Sequence, residues 1–182
     1  MIPVEYMWLT LMLVFGVIGA TRGLWKELGV TTILMLSLFV LKFGWEQIVK
    51  KNITSLPGKL PPATVEALYY IIPILFIAFI AYEGISLRFP IKEMKGLGKA
   101  LFGFLGGLLN GYLIVGTVWN AVWIAKYFGL QVPLGSTGTT IAISGYLTSL
   151  HNTLVQYMPI TFLNEYLLLA FGMILLLAII LK

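Results

Sequence analysis

The stretch "ATRGLWKEL", Ala20–Leu28, sets Arg22, Lys26 and Glu27 between two of the most apolar runs in the chain. Its reading decides the fold. Taken as a charged site inside a membrane, it would interrupt one long apolar segment. Taken as a turn, it separates two antiparallel helices and faces water. The turn is favoured: Gly23 permits the bend, and Glu27 falls at the start of the second helix. Negative charge there is favourable by about 0.3–1 kcal/mol. Trp25 then lies at headgroup level. Arg22, Gly23, Lys26 and Glu27 are accordingly assigned to a cytoplasmic turn.

Working outward, the composition supports lipid as part of the solvent. Of 182 residues, 59% are hydrophobic and 10% charged, against about 25% charged in ordinary soluble domains. Mean hydropathy is +0.96. A soluble fold of this size would have too little interior for so much apolar surface. The chain has no cysteine, which removes disulfides, thiol catalysis and cysteine-held metals or iron–sulfur clusters. It has no aspartate: all seven acids are glutamates, and His151 is the only histidine. The net charge of +5 suits anionic headgroups rather than nucleic acid, because the basic residues fall between apolar runs.

The expected fold class is all-α: a polytopic transmembrane helical bundle of about five spans plus one interfacial amphipathic helix. The spans read as Val4–Thr21, Leu28–Gln47, Ala63–Leu87, Ala100–Ala125 and Phe162–Leu181. Residues 1–125 form a four-span membrane domain. Residues 126–182 add a Gly/Ser/Thr-rich loop, an amphipathic helix over 141–158, and the fifth span over 162–181. In 141–158, Ile143, Leu147, Leu150, Leu154 and Met158 recur at helical spacing. The run 1–21 is read as a span rather than a signal peptide, because it carries Glu5 and its basic residues follow the apolar part.

Five spans place the first and third connectors and the C-terminus on one side. That side collects Arg22, Lys26, Arg88, Lys92, Lys95, Lys99 and Lys182; the other has Lys50, Lys51, Lys59 and Lys126, with Lys42 nearby. The bias predicts an inner or plasma membrane protein with its N-terminus outside and its C-terminus cytoplasmic. Arg88, Lys92, Lys95 and Lys99 are expected to meet anionic lipid headgroups.

Signs of chemistry are few. No catalytic residue, cofactor or metal site is expected. Without aspartate, and with His151 isolated, no nucleophilic triad can be built. His151 reads as a hydrogen-bonding interfacial residue, with an axial ligand to a pigment or haem as the alternative. Glu83 is the deepest acid of the third span and the speculative ion site, but Arg88 and Lys92 stand close enough in sequence to neutralise it. Lys42, Glu46 and Lys50, four residues apart, form a ladder on one helix face.

Packing carries the clearest pattern. In "GKALFGFLGGLLNGYLIVG", Gly103, Gly107 and Gly111 recur every four residues, with Gly106 and Asn110 beside them. Such a stripe allows close helix approach, and Asn110 can hydrogen-bond across it. Gly16, Gly19, Ala20 and Gly23 form a matching small face in the first span, so packing within one chain is expected, with a partner subunit as the alternative.

"RGLWKEL" and "GFLGGLLNGYLIV" together give the chain a resemblance, over about residues 1–125, to the colicin V production protein family of bacterial inner-membrane proteins. The resemblance implies a four-span, non-enzymatic membrane protein linked to export or envelope processes; the fifth span lies beyond that pattern. The functional expectation is a scaffold or accessory component with other membrane subunits as partners. Alternatives are an accessory subunit of a respiratory or photosynthetic complex, or a small-solute transporter or channel.

Overall fold

The computed structural model describes residues 4–52, 60–84, 87, 95–125 and 153–181. These residues are helical apart from turns and short links. Helix α1 is Val4–Arg22 and α2 is Leu24–Asn52, separated by Gly23 alone. Helix α3 is Pro62–Glu83, α4 is Gly96–Ile124, α5 is the short Pro159–Phe162, and α6 is Glu165–Ile180. Helices α2, α3 and α4 are long and apolar enough to cross a membrane; Tyr6–Arg22 and Glu165–Ile180 are shorter apolar helices at the first and fifth expected spans. At 29 residues, α4 is about 43 Å long and must tilt or protrude from a ~30 Å hydrocarbon core.

Gly23 adopts φ 87°, a left-handed conformation that side-chain-bearing residues rarely take, so glycine is what allows two helices to meet with a single residue between them. The chain reverses there, yet α1 and α2 make little contact beyond the turn. Instead α4 lies between them. Helix α1 runs antiparallel to α4, bringing Met12 and Phe15 to Gly111 and Gly19 to Gly103 and Gly107. Helix α2 runs parallel to α4, with Leu24 and Glu27 at Gly106, and Leu41 and Trp45 clustered with Ala121 and Ala125. Helix α3 is antiparallel to α2: Tyr82 reaches Glu27, and Tyr70 packs beside Trp45.

The α1–α4 contact is a backbone-to-backbone seam within one chain. A Cβ on Gly107 would lie 3.0 Å from Gly19 Cα, and one on Gly103 would lie 3.0 Å from Gly23 Cα. Either would also meet a carbonyl of α1 more closely still, of Phe15 and Gly19 respectively. Gly16 faces the Phe104 ring rather than backbone, and Ala20 is half-buried. The tightest approach on α1 is therefore Gly19.

A dry layer fills the middle of the bundle: Val30, Leu34 and Leu38 of α2, Ile74 of α3, Leu113 of α4 and Leu168 of α6. Many other large apolar side chains point outward, Val17, Phe76, Phe79 and Ile174 among them. This surface suits hydrocarbon rather than water.

Near its end α2 widens into a π turn over Trp45–Val49, in which the Lys50 amide donates to Trp45 O. Trp45 is buried against Tyr69 and Tyr70, while Glu46 and Lys50 stay exposed. Of the expected amphipathic helix, residues 141–152 lie outside the described residues; 153–156 are helical and Met158 is buried. Arg88, Lys92 and His151 also lie outside them.

Candidate functional site

The local sequence builds the site from the turn upward. Arg22 closes α1 and Glu27 lies in the first turn of α2. The water-facing role expected for Glu27 does not match its surroundings: its side chain is 0% exposed. Gly106 is the reason it fits. A Cβ there would lie 2.9 Å from Glu27 Cβ, so a larger residue would push α4 off α2.

The carboxylate is met from three other helices. Arg22 Nε lies 2.9 Å from Glu27 Oε1, with the Arg22 side chain 21% exposed. Tyr82 of α3 donates its hydroxyl to Glu27 Oε2 at 2.9 Å. Asn110 of α4 donates Nδ2 to the same oxygen at 2.8 Å and to the Glu27 backbone carbonyl at 3.0 Å. Both contacts need an N–H, which sets the orientation of the Asn110 amide. Its Oδ1 then faces Thr31, one turn beyond Glu27. The single Thr31 hydroxyl proton has two acceptors in reach, Asn110 Oδ1 at 2.7 Å and Glu27 O at 2.9 Å.

Arg22 is itself clamped. It donates Nη1 to Tyr82 O at 2.8 Å, and its guanidinium carbon lies 4.6 Å from the centre of the Tyr82 ring. Tyr82 in turn packs on Phe15 of α1, ring centres 5.6 Å apart. One buried negative charge is thus matched by one positive charge and surrounded by oriented donors. A buried ion pair needs such additional hydrogen bonds to offset desolvation.

No family model, curated protein or solved structure matches this chain. Among the described residues, no three His, Asp or Glu side chains are grouped to hold a metal.

Of the residues singled out from sequence, Arg22, Glu27 and Asn110 meet in this cluster. Gly23 makes the turn beside it, and Lys99 lies across Gly23, where a Cβ would come 3.0 Å from Lys99 Cε. Lys26 is half-buried and Lys95 exposed. Glu83, the acid expected to lie deepest in α3, is exposed at that helix's last residue. The neighbouring Tyr82 enters the cluster instead. Sequence reasoning missed Tyr82 and Thr31. The Glu27–Thr31 spacing of one helical turn was a legible hint; Tyr82 offered none.

Proposed function

We propose that this chain is a non-enzymatic integral membrane protein that acts as a scaffold or accessory component of a larger membrane assembly. The observation that carries the reading is the closed Glu27 cluster: its ion pair and hydrogen bonds tie α1, α3 and α4 to α2. A carboxylate in a membrane helix is a functional-site candidate by default. Here its partners come from the chain's own helices, as suits a rigid hub rather than a moving ion carrier. The link to export or envelope processes rests on the resemblance to the colicin V production family.

The proposed orientation has the N-terminus outside and the Gly23 turn in the cytoplasm. Lys95 and Lys99 then face the anionic leaflet, each contributing about 1 kcal/mol near its surface, while Arg22 stays in its ion pair with Glu27. Partner subunits dock on the outward apolar faces.

Purification from membranes in mild detergent tests the proposal. The expected result is co-migration with other membrane subunits. A single species lacking partners would overturn the scaffold reading. Co-purifying visible absorbance would redirect it toward a respiratory or photosynthetic complex. Protease access to the N-terminus in cytoplasm-side-out vesicles would reverse the orientation.

A further inference from the structure

Lys42 lies far from Gly23, in the last turn of the regular part of α2. Instead of joining a ladder with Glu46, its ammonium donates to Ile160 O at 2.9 Å and to Leu163 O at 2.6 Å. Glu46 pairs with Lys50 at 3.0 Å.

The Ile160 carbonyl belongs to the short α5, and the Leu163 carbonyl to the break that follows it. Pro159 starts α5, whose last residue is Phe162. Leu163 (ψ 109°) and Asn164 (φ −70°, ψ 161°) are extended, and α6 begins with Asn164 Oδ1 accepting from the Leu167 amide at 2.8 Å. Carbonyls at a helix end have no partner within the helix and carry the negative end of its dipole. In apolar surroundings they require a donor or a cation.

The rest of the fold holds the break toward Lys42. Asn120 of α4 donates to Thr161 Oγ1 at 2.5 Å. Pro159 sits over Gly116, where a Cβ would lie 2.7 Å from Pro159 Cδ. Gly172 of α6 lies over Leu36 of α2, where a Cβ would come 2.9 Å from Leu36 Cγ.

We propose that the α5–α6 break is a carbonyl-lined site for a primary ammonium group, that the Lys42 side chain is its resident cation, and that this occupancy holds α5 and α6 against α2. The ligands are neutral backbone oxygens, the arrangement by which unwound membrane helices hold monovalent cations. A primary ammonium presents three N–H donors, so each oxygen can receive its own proton. A methyl group in the same place would leave both carbonyls without this donor.

The chain has no cysteine, so a Leu36→Cys/Gly172→Cys pair reports on α6 docking by itself. In native membranes, oxidation is expected to cross-link this pair efficiently. Adding Lys42→Ala is expected to lower the yield by about fivefold or more. Methylammonium chloride then restores it, while equal sodium chloride or tetramethylammonium chloride does not. An unchanged yield in Lys42→Ala overturns the proposal, as does a loss that methylammonium fails to reverse. Restoration by sodium equal to that by methylammonium overturns the ammonium assignment. A second measurement needs no variant. Amine acylation of the parent protein in membranes is expected to modify Lys50 and Lys51, which are exposed, and to spare Lys42. Equal modification of Lys42 and Lys50 also overturns it.

Discussion

At the Gly23 end of the bundle a carboxylate is held by side chains from three other helices. At the far end an ammonium is held by backbone carbonyls around one broken helix. Leu34, Leu38, Ile74 and Leu113, all fully buried, lie in the layer between. The difference lies in what each site demands of the sequence. The Glu27 cluster needs particular side chains at particular places: an arginine at the end of α1, a tyrosine near the end of α3, an asparagine within α4. The Lys42 site needs one lysine and a helix that stops; any residue can supply a carbonyl.

That comparison predicts unequal sensitivity to mutation. The largest effect is expected at Glu27, whose loss leaves the Arg22 charge without its counter-ion and the Tyr82 hydroxyl without its acceptor. Glu27→Leu should destabilise the bundle by about 3–5 kcal/mol, the range for breaking one side of a buried pair. Denaturant unfolding in detergent measures it. Arg22→Leu combined with Glu27→Leu should be less damaging than the sum of the single changes. Additive losses would show that the two charges act independently.

Next comes the seam beside the cluster. Gly107→Leu must separate α1 from α4, at about 1–3 kcal/mol, and should also disrupt the proposed assembly. Normal stability and assembly in that variant would remove the seam from the account.

A smaller effect is expected for Tyr82→Phe. It removes one hydroxyl from Glu27 Oε2 but keeps the ring under Arg22, for about 1–2 kcal/mol. A loss as large as that of Glu27→Leu would mean that the hydroxyl, rather than the ion pair, holds the cluster. Least affected should be the exposed Lys50–Glu46 pair, with side chains 60% and 53% exposed. Lys50→Ala should change stability by less than about 1 kcal/mol. If it cost as much as Tyr82→Phe, exposure would not be what separates strong from weak charge pairs here.

Much of the framework was legible in the chain. The helical class and the positions of the apolar segments follow from run length and composition. The break at Gly23, the stripe of Gly103, Gly107 and Gly111, and the small face opposite it were also readable. The cluster was legible only in pieces. Arg22 and Glu27 stood out as charges near a turn, and Asn110 as a polar residue in a glycine stripe. Their meeting was hidden because Glu27 and Asn110 are 83 residues apart. Glu83 drew attention over Tyr82 because sequence reading ranks charge above hydroxyls. A helix turns by roughly 100° per residue, so adjacent residues face different surroundings: Tyr82 points inward and Glu83 outward.

By itself, the amino-acid sequence determined that this chain forms apolar helices suited to a membrane. Hydropathy and run length are properties of one segment at a time, and the bilayer reads them so. Tertiary structure alone decided which charge is buried and what satisfies it. Glu27 can turn to water or to Arg22, Tyr82 and Asn110; only the close approach of α2 and α4 at Gly106 selects the second. Lys42 can snorkel or cap a helix end; only the placement of the α5–α6 break gives it carbonyls to hold. In both cases the deciding energy is desolvation, which depends on everything packed around a group and not on the group's place in the chain.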